Sequence, residues 1–335
     1  MLKAAPDVRR GSVRTPAPAI ILTAAVLVTL TACVPTAAAE ACTPVVPTGE
    51  QASYVDAEGA LLTEPDVDFP TPLTSRGPQQ AVIVPGDGET IEAGQVVDLR
   101  VSLFSAETGD LITASSYDPE SAPVRRTAGA EVDVLAEIVQ CAEVGSRIAA
   151  TATISDVFGP GRLDPNLGLG DDDPVVVVLD IEAAYLGKAQ GSPQLGRDGV
   201  PAVVTTPDGV PGVTVPDQDP SDELIDHVLV LGDGAAIEEG DRAVLHYTGV
   251  LWESKSVFDS SWERGAPATF TVASFEDDPE GVVPGLAQAL VGKTVGSQVV
   301  VVIPPSLGYP EGQAPATIPA GSTMVFVVDV LGIEE

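Results

Sequence analysis

Val228-Leu229-Val230-Leu231-Gly232-Asp233-Gly234 repeats, 146 residues further on, the stretch Val82-Ile83-Val84-Pro85-Gly86-Asp87-Gly88. Each is followed by an Ile-Glu pair, a Gly and an alternating apolar run. Three further echoes keep the same order: Ser115-Ser116 with Ser260-Ser261, Val144-Gly145-Ser146 with Val295-Gly296-Ser297, and Leu179-Asp180-Ile181 with Val328-Asp329-Val330. Four matches in one order over about 100 residues mark two copies of one domain, at 79–187 and 224–335. Within the second copy, Arg242 to Leu251, Ser297 to Pro304 and Met324 to Leu331 read as strands from their β-branched content. Pro284 to Val291 is the one helix expected there, ended by Gly292. The fold class is α+β, a twisted antiparallel sheet packed on one short helix, present twice in tandem.

Between the copies, 188–223 carries Pro193, Pro201, Pro207, Pro211, Pro216 and Pro220 among Gly and Asp, and reads as a linker with one edge strand near Val213 to Val215. Residues 33–78 are rich in Ala, Pro, Thr and acids without periodicity, and read as a flexible tether. Residues 1–32 hold Arg9, Arg10 and Arg14, an apolar run from Ile20 to Leu30 and the small residues of a secretory signal peptide, too short to be a stable spanning helix. The sequence Leu30-Thr31-Ala32-Cys33 resembles the lipobox of bacterial lipoproteins. That resemblance implies cleavage before Cys33, a diacylglycerol on its sulfur, and a chain anchored in the cell membrane with its domains on the extracytoplasmic face. An ordinary signal cut near Ala39 is the rival reading. Sec and Tat export both stay open, although the surroundings of Arg9-Arg10 fit a twin-arginine signal poorly. Cys42 and Cys141 could pair in an oxidising compartment, but with one in the tether and one in a domain, no bridge is favoured.

The 335 residues carry 16 Lys+Arg against 49 Asp+Glu, a net charge of -33. Such a chain repels a phosphate backbone, so nucleic acid is not an expected partner. His227 and His246 are the only histidines, too few for a His-rich metal site and a poor start for a triad. No Gly-x-Ser-x-Gly elbow is present; Gly292-Lys293-Thr294 lacks a phosphate loop's first glycine, since position 287 is Ala287; Asp171-Asp172-Asp173 lacks the Gly and Glu of a calcium loop. No metal and no cofactor are expected.

Eight of the 14 aromatic residues fall in the second copy: Tyr247, Trp252, Phe258, Trp262, Phe270, Phe275, Tyr309 and Phe326. The first copy holds only Phe104, Tyr117, Phe158 and Tyr185, so core packing alone does not demand the excess; a lined apolar pocket does. His246-Tyr247-Thr248-Gly249, Phe258-Asp259-Ser260-Ser261, Val282-Val283-Pro284-Gly285-Leu286, Ile303-Pro304-Pro305 with Gly308-Tyr309, and Val325-Phe326 before Val328-Asp329-Val330-Leu331 resemble, in order and spacing, an FKBP-type peptidyl-prolyl cis-trans isomerase.

The resemblance implies an FKBP-like fold and a pocket walled by Tyr247, Phe258, Val282, Val283 and Phe326. It sets Asp259 beside the reacting carbonyl, Arg264 as its charge partner, Tyr309 on the rim and Ile318 against the substrate. Leu286 stands at the pocket floor where the family usually has Trp, which implies weakened macrolide binding. The activity implied is rotation of X-Pro bonds in proline-containing segments of exported proteins. Such rotation makes and breaks no bond and asks for neither nucleophile nor metal. A binding module or holdase using the same pocket is the alternative, and a purely structural envelope protein is a third reading. In the first copy, alignment of Ser115-Ser116 with Ser260-Ser261 puts Thr113 and Ala114 at Phe258 and Asp259, so a non-catalytic domain is expected.

Overall fold

The computed structural model describes residues 42–74, 76–130, 133–162, 168–309 and 312–334. The segment read as a signal peptide, the lipidation position Cys33 and the alternative cut near Ala39 lie outside the described residues. Among the described residues no helix is long and apolar enough to cross a membrane.

Two antiparallel sheets dominate. The first contains β3 (Gln79–Val84), β4 (Val96–Ser105), β5 (Leu111–Ala114), β6 (Val124–Thr127), β7 (Arg147–Thr153) and β8 (Pro174–Tyr185), in the order β3-β7-β8-β4-β5 with β6 also on β4. The second contains β12 (Ile225–Leu231), β13 (Arg242–Leu251), β14 (Val257–Ser260), β15 (Ala268–Thr271), β16 (Gln298–Ile303) and β17 (Met324–Glu334). Its order, β14-β13-β17-β16-β12, with β15 also on β13, is the same path read from the other edge. The repeat seen in sequence is thus a repeat of topology. Each sheet packs one face on a short helix, α1 (Val134–Val139) or α4 (Pro284–Leu290). Pro284 supplies a preset φ at the first helical position, and Gly292 at φ +79 turns the chain away one residue beyond Val291. The two other short helices, α2 (Ile154–Phe158) and α3 (Ser261–Arg264), follow β7 and β14.

Of the stretch expected as a tether, the described part is instead packed. Val55, Ala57, Phe69 and Leu73 form one apolar cluster with Phe104, Ala149, Val176 and Val178, on the face of the first sheet turned away from its helix. The hairpin β1 (Asp56–Glu58) and β2 (Asp66–Asp68) is part of this cover. Cys42 and Cys141 are joined by a disulfide with Cα atoms 5.5 Å apart, correcting the expectation of no bridge. Because Cys42 belongs to a folded strap rather than a loose tether, it stays within reach of the domain.

The linker expected at 188–223 is likewise a strap. It contributes the edge strand β9 (Ser192–Pro193), which pairs with β12, and a hairpin of β10 (Ala202–Thr205) and β11 (Pro211–Thr214). Val215 is buried with Val250, Trp252, Val300, Val302, Val325 and Val327, and Val203 and Val213 pack against them. Each domain therefore brings its own N-terminal cover. The amide of Leu62 in the first strap donates to Asp180 at 2.7 Å, and that of Ala189 in the second donates to the equivalent Asp329 at 2.8 Å.

The two domains touch through β6, β8, β15 and β17. The Arg125 guanidinium binds both oxygens of Asp98 at 2.7 Å and reaches Thr269 Oγ1 and Glu334 Oε1 at 2.8 Å. Tyr185 lies on Gly332, where an added Cβ would stand 2.3 Å from its ring. Val96, Tyr185, Val244 and Leu331 bury a small apolar cluster beside this network.

Candidate functional site

The site stands on the helix-facing side of the second sheet, where strand alternation points Tyr247 and Phe326 inward from β13 and β17. Between β13 and β14 the register slips: Gly249 faces Asp259 while Val250 faces Val257, leaving Phe258 as the extra residue of a bulge. The bulge aims Phe258 across the sheet, and its ring passes over Gly249, where a Cβ would lie 2.5 Å from ring carbon Cζ. Phe258 meets Phe326 edge to face at 5.5 Å and 89°, and Tyr247 sits 6.2 Å from Phe326 and 5.8 Å from Phe270 on β15. These rings form an aromatic box.

One side of the box is polar. The Tyr247 hydroxyl donates to Asp259 Oδ2 at 2.6 Å and accepts from Arg264 Nη2 at 2.7 Å; Arg264 Nη1 is ion-paired with Asp259 Oδ1. Burial, reinforced by the Asp259 carboxylate, pushes the Tyr247 hydroxyl up to about 12, so it stays a donor at neutral pH. Arg264 also lies over the Tyr247 ring, 5.3 Å from its centre. Behind Tyr247, His246 points to the other face, where its ring stacks on Trp262 at 3.7 Å. Burial there, with the Arg264 charge second, lowers the imidazole to about 4.

Val282 and Val283 come in on the loop leading to α4, and with Leu286 and Ile318 they are buried in the same cluster as Tyr247 and Phe326. Gly285 lets the helix approach β16, since a Cβ there would stand 2.6 Å from Ile303. Tyr309 stacks on Phe275 at 5.8 Å and 14°. Its hydroxyl makes no hydrogen bond among the described residues, and burial raises its pKa, leaving a protonated donor free for a ligand. Beside it opens a cavity of about 370 Å³ lined by Tyr309, Ala314, Ile318 and Met324. A larger cleft of about 1370 Å³ lies between the domains, but its charged lining is engaged in pairs such as Arg100 with Glu182 and Arg242 with Glu280. The aromatic box is the better candidate because its apolar walls stand beside the free Tyr309 hydroxyl.

Residues 234–331 match the family model described as FKBP-type peptidyl-prolyl cis-trans isomerase. The second domain is of the FKBP type. FK506-binding protein 2B of Rhizopus delemar is 42% identical over 95 residues, covering 28% of this chain and 43% of that protein. The FKBP-type 22 kDa peptidyl-prolyl cis-trans isomerase of Escherichia coli is 44% identical over 106 residues, 32% of this chain and 48% of that one. The chain thus spans about half the length of these curated relatives. The crystal structure of FkpA from Escherichia coli is similar over 41% of this chain and 53% of its own, at 31% identity and a TM-score of 0.30.

The structure brings Tyr247, Phe258, Asp259, Arg264 and Phe326 together in the FKBP domain, and sets Tyr309, Val282, Val283, Leu286 and Ile318 around them. Phe270 and Phe275, counted in sequence only as aromatic excess, prove to be wall and rim partner. Their place depends on β15 pairing with β13 and on the path of the following loop, neither of which the spacing states.

The first domain lacks this box, and the register makes the comparison exact to the residue. Ser261 Oγ accepts from the amide of Tyr247 at 2.7 Å, and Ser115 Oγ accepts from that of Val101 at 2.8 Å. Ser115 therefore matches Ser261, one residue away from the alignment expected from sequence. Both sheets carry the same bulge, so the shift lies in the Ser-Ser pair alone, which sequence can match in either register. Val101, Ile112, Thr113 and Val177 stand at Tyr247, Phe258, Asp259 and Phe326. Leu103 replaces Gly249 and is buried, filling the space where the Phe258 ring lies. Arg126 replaces Phe270 and is ion-paired with Asp133 at the start of α1.

Proposed function

We propose that the chain is a peptidyl-prolyl cis-trans isomerase whose activity resides in the FKBP domain. The observation that carries this reading is the aromatic box of Tyr247, Phe258, Phe270 and Phe326, flanked by the Tyr247–Asp259–Arg264 network. Rotation of an X-Pro amide removes resonance against a barrier of about 18 to 20 kcal/mol. A twisted amide is less charge-separated than a planar one, so dry apolar walls favour it over the ground state. The Tyr309 hydroxyl holds a neighbouring carbonyl while the bond turns, and the proline ring fills the box. The Arg264 pair on Asp259 fixes the Tyr247 wall in one rotamer.

The substrates we propose are proline-containing segments of exported proteins, with the chain tethered through a lipid on Cys33 to the extracytoplasmic face of the cell membrane. Supporting this are the charged, apolar and small-residue order of positions 1–32, the Leu-Thr-Ala-Cys sequence, and the Cys42–Cys141 disulfide, which forms and persists in oxidising compartments. Macrolides bind weakly in this account, because Leu286 offers less aromatic surface at the floor. The first domain is a non-catalytic partner.

A protease-coupled assay of cis-to-trans conversion in a short X-Pro peptide tests the reading on the full chain. Acceleration is expected, and Asp259→Ala should lower it about tenfold or more without unfolding the domain, because it releases both Tyr247 and Arg264. A folded chain that binds the peptide without accelerating its conversion would make the same pocket that of a binding module.

A further inference from the structure

We propose that Trp262 is a positioning residue for this site, seated by the strap that precedes the FKBP domain, so that the Thr206–Val210 turn helps to hold Arg264 on Tyr247 and Asp259. The inference rests on the isomerase reading of the site and assigns the strap a part in it. Arg264 is half exposed, and a free arginine side chain samples many rotamers, so its two contacts need an anchored backbone. Its helix, α3, is four residues long, too short to hold itself.

Three anchors hold α3. The Ser260 hydroxyl caps it by accepting from the amide of Glu263, and Gly265 closes it in the left-handed conformation at φ +75. Ser261 Oγ accepts from the Tyr247 amide and lies 2.9 Å from His246 Nδ1. Trp262, between Ser261 and Arg264 in the chain, stacks on the His246 ring with only 15° between the planes. The first two anchors lie within the domain; the third reaches outside it. The far edge of the indole abuts Gly209, where a Cβ would stand 2.7 Å from Cη2 and 2.8 Å from Lys188 Cβ.

Gly209 has φ +100 and sits in a closed turn. Its amide donates to Thr206 O, the Thr206 amide donates to Val210 O, and the Val210 amide donates to Thr206 Oγ1, each at 3.0 Å. Lys188 crosses the same turn to Pro207 O. The turn is thus a fixed seat, and glycine is required at the point of contact because any side chain would displace either the indole or Lys188. His246 and Tyr247 are successive residues of β13, so a ring stack on one face and the aromatic box on the other share one strand.

The test uses the full chain with Trp262→Ala, Trp262→Phe, Gly209→Ala and Arg264→Ala. Trp262→Ala should lower kcat about tenfold with KM within about twofold, since Phe258, Phe326, Val282 and Val283 keep the apolar walls. Trp262→Phe, which can still stack on His246, should restore most of the loss. Gly209→Ala leaves the FKBP domain's own sequence intact and should reproduce the defect if Trp262→Ala fails to fold. Adding Trp262→Ala to Arg264→Ala should cost nothing further, because both act through one contact.

The guanidinium Nη–H signals of Arg264, followed by NMR, should be sharp in the wild type and in Trp262→Phe and broadened in Trp262→Ala. His246 should titrate near 4 in the wild type and move toward the ordinary 6.5 once the indole is gone. Unchanged Arg264 signals, or a double variant that loses a further tenfold, would overturn the proposal. A wild type without turnover would remove the isomerase reading, and the Arg264 and His246 signals would still decide whether the strap positions the network.

Discussion

Asp180 and Asp329 occupy the same place in the two sheets and meet different partners. Asp180 is paired with the fully buried Arg147, which also donates to the strap carbonyls of Gly59, Ala60 and Thr63. Removing that cation strands a buried carboxylate, so Arg147→Ala should destabilise the first domain by about 3 to 5 kcal/mol, read in denaturant unfolding. A loss below about 1 kcal/mol would mean that water reaches Asp180. At Asp329 the cation is replaced by Gln298, whose Nε2 donates at 2.8 Å. Burial without a full counter-charge lifts this carboxyl from 3.8 to about 6. Between those values the folded chain holds a proton that the unfolded chain has released, so this site's contribution to stability falls as pH rises through the window and is level above it. Asp329→Asn should flatten that slope in unfolding free energy measured against pH; superimposable slopes would show that Asp329 titrates normally. His246 acts with the opposite sign: held at about 4, it gives stability that is full above 6.5 and lost as pH falls.

Among the elements, those with local signals are legible in the sequence and those that depend on distant packing are not. The strands β13, β16 and β17 and the helix α4 were legible from β-branched content and from Pro284 and Gly292, because both signals are local. The straps were not, since Pro and Gly exclude long regular elements without excluding a packed one. A signal for them lies in the unbroken valine runs Val175–Val178 and Val299–Val302: a strand with one wet face alternates, whereas a continuous apolar run asks for cover on both faces. Of the site, the residues within quoted motifs fell together, while Phe270, Phe275 and the Trp262–His246 stack depend on pairings made across the fold. The disulfide pins the first strap over a sequence separation of 99 residues. Cys42→Ser should lower the first domain's stability by roughly 4 to 5 kcal/mol through lost loop closure. Calorimetry should show a first-domain transition splitting off below the single wild-type one while the FKBP domain still unfolds near the wild-type temperature.

At the scale of the molecule, the two domains have diverged around one topology. One keeps an open box; in the other Leu103, Ile112 and Val177 close it with aliphatic packing. They are joined by Arg125, whose removal would leave Asp98 buried without its counter-charge and Glu334 with Arg242 and Thr269 alone. Arg125→Ala should therefore split thermal unfolding into two resolved transitions at a cost of about 3 to 5 kcal/mol to the first domain; one unchanged cooperative transition would show that the apolar contacts of Tyr185 suffice. A net charge of -33 turns the chain from acidic partners. The proposed activity sits in the aromatic box of the second domain and not in the first. The most direct measurement is two-dimensional NMR exchange between the cis and trans signals of an X-Pro tetrapeptide in the presence of the full chain. Exchange cross-peaks should appear with the wild type, vanish with Phe258→Ala, and be accompanied by shifts at Tyr247, Phe258 and Phe326 with none at Val101, Ile112 and Val177. Undiminished cross-peaks in Phe258→Ala, or equal shifts in both domains, would contradict the account.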